Sequence, residues 1–398
     1  MPLIAVPITA RLNDMATSLH PAAWLGEADC DLDEFRACVE QQTDPADYPH
    51  AAEVRSNVLV YAAEAVSGDR RALQAEVIRA LTDGPGVVVF TGAFSGEVVT
   101  KANDAFFAIV EHERGDDRTA GDHFGAPGAN DRIWNAAQKL ALRDPQTYAD
   151  YYANDTLALV CQAWLGPRYQ VTSQVNIVNP GGAAQVPHRD YHLGFVPVEQ
   201  LEQYPAHLHR MSPALTLQGA VAHCDMPIDS GPTMLLPFSQ RFAGGYLAFH
   251  RPEFIDYFTR HHVQIPLSTG DAVFFNPALY HGAGANVSRD IRRIANLLQV
   301  SSPFGRAMEV LDRTAMVRAV YPALRRMRAA GRPAHGVRNV VVATAEGYAF
   351  PTNLDSDPPV GSLAPRSQVD IVIDALHEDL TDEQLESALN DHHDRRMP

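Results

Sequence analysis

The chain is short of cysteine, of basic residues and of long apolar runs. It holds four cysteines, Cys30, Cys38, Cys161 and Cys224, among 398 residues. No two are spaced as a zinc knuckle or a dithiol redox pair, and a chain of this size does not depend on disulfide staples. Lysine and arginine total 32 against 48 aspartates and glutamates, a formal net charge of −16. Such a balance speaks against a surface built for phosphate, so no nucleic-acid partner is expected, nor an anionic membrane. Its plain reading is solubility. No run reaches the length of a transmembrane helix. Residues 1–10 have neither the basic opening nor the apolar stretch of a signal peptide. A reduced, soluble, cytoplasmic protein, monomer or homodimer, is expected, without internal repeats or low-complexity segments.

What is there is apolar material enough for a sizeable core, at 46% of residues. Residues 1–75 read as a helical extension with little pattern before Asp69. Leu73, Val77, Ile78 and Leu81 then recur at helical spacing up to Gly84-Pro85-Gly86. Residues 87–90 form a short apolar run that suits a buried strand at the edge of a sheet. Ser95 suits the N-cap of a second helix carrying Val98, Ala102, Phe106 and Ile109. Residues 111–133 are charged and glycine-rich and read as a loop. Asp144-Pro145 opens a helix that Gly166-Pro167 closes. From about 168 to 303 the segments become short and are divided by Gly, Pro or Asn, the cadence of an all-β sandwich or barrel. A core over 76–305 is therefore expected, followed by a mostly helical extension over 306–398. Residues 340–342 are a candidate strand within that extension. Thr381 with Gln384 makes a capping box for a last helix.

Two constellations carry chemistry. The first is Val186-Pro187-His188-Arg189-Asp190-Tyr191-His192. On a strand, residues two apart share a face, so His188 and Asp190 can aim an imidazole and a carboxylate at one point. With a second histidine they would form the two-histidine, one-carboxylate set that holds iron(II) and leaves positions open. Alone, His-x-Asp is a weak signal in a chain with 17 histidines. The second constellation strengthens it. Gly270-Asp271 feeds an apolar strand that delivers His281, followed by Gly282, Gly284, Asn286 and Ser288, and then by Arg292 and Arg293. A guanidinium there offers a planar fork to the distal carboxylate of 2-oxoglutarate. Ile294, Asn296 and Leu298 share the face of Arg292, and Arg293 points the other way. Alternation alone does not say which of the two faces inward.

Together with Gly231-Pro232-Thr233 and the Pro237-Phe238-Ser239-Gln240 turn, these blocks resemble the phytanoyl-CoA dioxygenase family over roughly residues 76–303. The resemblance implies a double-stranded β-helix (a cupin-like jelly roll), mainly β with flanking helices. It implies His188, Asp190 and His281 as ligands of iron(II), and Arg292, eleven positions beyond His281, as the anchor of 2-oxoglutarate. It implies a dioxygenase that consumes O2 and 2-oxoglutarate, gives succinate and CO2, and acts on a C–H bond of a small-molecule metabolite. Hydroxylation is the first expectation, with desaturation, cyclisation or epimerisation as alternatives. Asp190 argues against halogenation, because related halogenases carry a small residue there. The chain departs from the family at the turn, usually Pro-Gly-Ser-His, and at Ala283, where many members have a hydroxyl residue. Competing readings are a cupin-type metal enzyme that does not use 2-oxoglutarate, and a jelly-roll binding protein without activity.

Further candidates are weaker. Gln174 and Asn176, two apart among apolar neighbours, need partners if buried, and a co-substrate can supply them; Thr233 is a further candidate for the same pocket. His192 shares the face of His188 if the strand stays regular. Arg189 is expected to make a surface ion pair. His207, His209, His261 and His262 bring no motif and read as surface. Residues 111–133 and Tyr348-Ala349-Phe350-Pro351 are candidate covers for the pocket.

Overall fold

The computed structural model describes residues 23–115 and 130–398. Within them the strands are β1 (Glu53–Arg55), β2 (Val58–Ala62), β3 (Val87–Thr91), β4 (Asn130–Ile133), β5 (Gln170–Val178), β6 (Thr216–Ala222), β7 (Met234–Leu236), β8 (Ala272–Phe275), β9 (Tyr280–Gly282) and β10 (Arg293–Ser301). Eight form one sheet in the order β1-β2-β3-β8-β6-β10-β5-β4, and β7 pairs with β9 in a second. Neighbours are antiparallel except β2 with β3. Single bridges from His188 to His281 and from Leu235 to Val263 widen the smaller sheet. The two sheets enclose a cavity, which makes this the jelly roll expected. "Mainly β" is a loose description, since more of the described residues lie in helices than in strands.

The alternation of β10 sets both sides of the large sheet. Ile294, Leu298 and Val300 join the core beneath the helices. Arg293, Ala295, Leu297 and Gln299 line the cavity. On β6, Leu217 and Val221 face the helices, and Gln218, Ala220 and Ala222 face the cavity. A fully buried Leu, Ile or Val contributes about 1.5–3 kcal/mol, so the helix-facing rows hold the sheet rigid while the cavity-facing rows are free to be small or polar.

The helix after Asp69 spans Arg70–Thr82, and Asp69 accepts from the Ala72 N–H as its cap. The next, Gly96–Gly115, is capped by Ser95, which accepts from Val98 N–H at 3.3 Å. Its length shortens the expected 111–133 loop from one end, and β4 shortens it from the other; residues 116–129 lie outside the described residues. The single helix expected after Asp144 is two, Pro145–Tyr152 and Asp155–Leu165, because Asn154 caps a fresh start. The strand at 87–91 lies inside the sheet, between β2 and β8, and not at its edge. The strand expected at 340–342 is part of a helix, Ala334–Thr344. Its valines are buried, and packing overrides the modest helical cost of β-branching. Arg313 donates to the carbonyls of Ala343 and Thr344 at that helix's end and to Val171 on β5. The capping box of Thr381 and Gln384 opens Asp382–Arg396 as expected. No described helix is long and apolar enough to cross a membrane.

Behind β6, His223 is buried with its two ring nitrogens at 2.8 Å from Asn103 Oδ1 and 2.9 Å from the Tyr151 hydroxyl. Burial pushes its pKa down to about 3, so the fold keeps it neutral. An unfolded histidine titrates near pH 6.5. Stability from this group is therefore complete above about pH 6.5 and is lost as pH falls from there toward about 3. Urea unfolding midpoints measured between pH 7.5 and 4.5 should fall steadily in the native chain. His223→Phe should be less stable at pH 7.5 by about 1–3 kcal/mol and show a shallower fall; an unchanged slope would remove His223 from the account.

Candidate active site

Three side chains converge where the smaller sheet meets the cavity. His188 and His281 face each other across an antiparallel bridge, with His188 N–H donating to His281 C=O at 3.0 Å and the reverse bond at 3.2 Å. Each Nδ1 lies against a carbonyl two residues back in its own chain, Val186 at 3.1 Å and Leu279 at 2.9 Å. A carbonyl only accepts, so each Nδ1 carries the proton and each Nε2 offers a lone pair. The Nε2 atoms stand 3.9 Å and 3.5 Å from the two Asp190 oxygens. Ligand atoms of all three residues lie within 4.8 Å of one another.

The electrostatics suit a cation. Burial, reinforced by the His281 imidazole, pushes His188 below the ordinary histidine value. Burial pushes Asp190 upward, but the close His281 and His188 rings and the hydrogen bond from Gln218 outweigh it and bring the carboxyl down to about 2. The donor set of two neutral imidazoles and one carboxylate fits a divalent first-row metal such as iron(II). Its deprotonated state needs no rearrangement to bind one.

The local chain path explains the convergence. Only His188 makes a strand bridge; the backbone then turns, with Tyr191 at φ 58° and His192 at φ 48°. Asp190 is held in place by its N–H on the Pro277 carbonyl at 2.9 Å. His192 consequently leaves the face of His188 and meets Thr216 Oγ1 at 3.3 Å. Arg189 is buried, not a surface ion pair. It donates to the carbonyls of Ser239 and Phe242 at 2.6 and 3.0 Å and lies over the rings of Tyr246 and Tyr280. Gly245 makes room for it, since a Cβ there would stand 1.9 Å from Arg189 Cζ. His209 is likewise buried, against the Leu201 carbonyl at 3.2 Å.

The cavity behind the three ligands measures about 680 Å³. Gln174, Asn176 and Thr233 line it, as does Arg293. Arg292 does not. Its side chain is 48% exposed, 3.9 Å from Asp131 and over the ring of Phe107. The physical reason is register: β10 begins at Arg293, whose face carries Ala295 and Gln299 inward, so the residue before it points out. Arg293 is buried and donates to the carbonyls of Ser230 and Gly284 at 3.2 and 3.0 Å. No carboxylate among the described residues pairs with it, and burial lowers its pKa to about 10. Gly231, at φ 74°, lets the 230 and 284 loops touch, since a Cβ there would stand 2.3 Å from the Ala285 carbonyl. Asn286 ties the same loop to Val178 and Ile291 at 3.0 and 2.8 Å.

Three cavity residues had no sequence motif. Gln218 donates to Asp190 Oδ2 at 2.5 Å; its signal was a lone amide in an apolar strand. Arg132, on β4, fell in the stretch read as loop. Met308 comes from the irregular segment before Arg313–Ala329. Residues 348–351 do not line the cavity; Tyr348 packs on Phe304, with ring centroids 5.4 Å apart.

His281→Ala removes one of the three side chains that could hold a metal. Anaerobic titration with iron(II) should show affinity lowered more than about 100-fold, beyond the effect usual for a supporting residue. Retained affinity would place the metal elsewhere.

A family model described as phytanoyl-CoA dioxygenase matches residues 70–294. A comparison with curated proteins finds no significant match. Among solved structures, the chain is similar to the "non-heme alpha ketoglutarate dependent epimerase SnoN from nogalamycin biosynthesis", at 20% identity and TM-score 0.40, over 59% of this chain and 84% of that one. It is similar to the carbocyclase SnoK of the same biosynthesis, at 19% identity and TM-score 0.44, over 59% and 86%. It is also similar to AviO1 from Streptomyces viridochromogenes Tue57, at 15% identity and TM-score 0.43, over 59% and 97%. With the model match spanning more than half of its length, the chain belongs to the phytanoyl-CoA dioxygenase family of iron(II)- and 2-oxoglutarate-dependent enzymes.

Proposed function

We propose that the protein oxidises a C–H bond of a small-molecule metabolite, hydroxylation foremost, with iron(II) held by His188, Asp190 and His281 and 2-oxoglutarate held by Arg293. The observation that carries this reading is a buried guanidinium without an acid partner, on the wall of the cavity that also contains the three ligands. Such a charge is costly unless a carboxylate joins it. Gly284, whose carbonyl it touches, lies three residues beyond His281, at most about 10 Å of chain. That span suits a five-carbon diacid reaching from the metal to the arginine. Ala222, Met226, Leu267 and Val273 give its methylenes an apolar wall.

The hydroxyl that Ala283 lacks has a substitute. Met234 pairs with Gly282 in the antiparallel register of β7 and β9, which sets Thr233 opposite Ala283. We assign Thr233 to the co-substrate on that ground. Gln174 and Asn176 go to the substrate side, because Gln174 bonds Arg132, Gln299 and Met308 and not the loops around Arg293.

Bound iron(II), with 2-oxoglutarate and dioxygen, supplies the oxidant for C–H cleavage and releases succinate and carbon dioxide. The chain's own part is positional. The Nδ1–H bonds fix both imidazoles, Gln218 fixes Asp190, and Arg293 fixes one end of the co-substrate. The buried wall keeps water from competing.

The test is binding of 2-oxoglutarate to the iron-loaded protein without oxygen, followed by succinate release in air. Arg293→Leu should raise the 2-oxoglutarate needed about 30-fold or more and leave iron affinity within a few-fold, while Arg292→Ala leaves both unchanged. No 2-oxoglutarate binding and no succinate from the native chain would favour a metal enzyme of another kind or a binding protein.

A further inference from the structure

We infer that the rest of the cavity is a subsite for an oxygen-rich, non-cationic substrate whose nearest hydroxyl donates to Oε1 of Gln218. This rests on the functional reading above only in taking this cavity as the substrate's.

Gln218 is 6% exposed. It stands on β6, opposite Gln299 on β10 and Phe275 on β8. Amide oxygen and nitrogen are ordinarily interchangeable in a structure, but here chemistry settles them. Ionised Asp190 accepts and cannot donate, so the amide nitrogen, at 2.5 Å, faces Asp190 and the oxygen faces away. That oxygen is buried, on the cavity wall, and without a hydrogen-bond partner. The Tyr191 hydroxyl does not donate to it: it donates to the Met308 thioether at 3.0 Å. A buried acceptor beside the metal ligands therefore lacks a donor, and an alcohol supplies one.

The polar lining continues outward from Gln218. Gln299 Oε1 accepts from Gln174 Nε2 at 3.4 Å, and Gln174 Oε1 accepts from Arg132 at 3.3 Å. Both bonds are at the long end of the range, so ligand oxygens can compete for these groups. Asn176 Oδ1, one strand from Ala295, is a second buried acceptor without a partner. Among the described residues Asp190 is the one carboxylate on the wall; Glu309, beside Met308, is not on it and accepts from the Asn135 N–H at 2.7 Å and from Gln174. With Asp190 committed to Gln218 and the metal set, an ammonium group meets no free carboxylate among the described wall residues, which selects against cations. Val186, Phe195 and Met308 are exposed apolar side chains on the cavity wall, suited to a carbon skeleton.

The test uses the full chain loaded with zinc(II), which is redox-inert, and 2-oxoglutarate. Cyclohexane-1,3-diol, its dimethyl ether and 3-aminocyclohexanol are compared by saturation-transfer NMR. The ether keeps the oxygens and loses the donors. The diol should bind about tenfold tighter than the ether, and the amine weakest. Gln218→Met should erase the diol's advantage. Asn176→Leu, which leaves the partner of Asp190 untouched, should reduce it as well, so the inference stays testable if the first variant loses zinc. Equal binding of diol and ether, preference for the amine, or no saturable diol binding overturns the inference. 2-Oxoglutarate binding in the same samples separates the cases: its absence counts against the functional reading, and its presence with indifferent probes counts against this subsite alone.

Discussion

Two backbone hydrogen bonds between His188 and His281 set the geometry on which the site depends. The residues are 93 positions apart in sequence (281 − 188), and the reciprocal bridge brings their side chains onto one face. The same local backbone supplies the carbonyls that fix each imidazole's proton. Asp190 follows two residues later and is held by the Pro277 carbonyl. Ligand placement is thus a property of main-chain pairing in the smaller sheet, and side chains refine it. Arg189, threaded between two ligands and packed on Tyr246 and Tyr280, links this sheet to the aromatic layer outside it. A residue between two ligands therefore serves folding, and its burial keeps the ligand segment from sliding.

Charge acts here at short range. The chain carries a formal −16, so its long-range field does not draw a dianion inward. Beyond about 8 Å that field is screened at physiological salt. Affinity for an acidic co-substrate has to come from a local, desolvated cation. Arg189, Arg293 and Arg313 are all buried and all donate to carbonyls. What distinguishes them is surroundings. Arg189 is covered by two tyrosine rings and Arg313 closes a helix end, whereas Arg293 stands on the cavity wall with donors to spare.

Much of this was legible before any coordinates. The meeting of His188, Asp190 and His281, the jelly roll and the capped helices were expected from a set of motifs in order and from the family resemblance they carry. The misses have physical causes. Arg292 and Arg293 are adjacent, and only the first residue of β10 decides which side each takes; strand starts are not marked in sequence. β1 and β4 are short strands at the sheet's two edges, where polar residues dilute the alternating pattern. Val340, Val341 and Val342 are a short apolar run, which periodicity cannot separate from a buried helix. Gln218 was invisible because its importance lies in one oxygen and its partner, Asp190, which folding alone brings together.

The departure at Phe238 shows how a motif can lose its residue and keep its work. The family's glycine position is left-handed here, with Phe238 at φ 68°. A non-glycine residue in that region costs about 1–3 kcal/mol. Phe238 is 4% exposed, and burying such a ring returns about 1.5–3 kcal/mol, so the substitution is nearly neutral. The turn is retained because the next residue depends on it. Ser239 Oγ accepts the Tyr280 N–H at 2.7 Å and donates to the Leu236 carbonyl at 2.6 Å. Its own carbonyl receives Arg189. One turn thereby joins β7, β9 and the cation lodged between His188 and Asp190. A glycine or a buried aromatic can both deliver that serine.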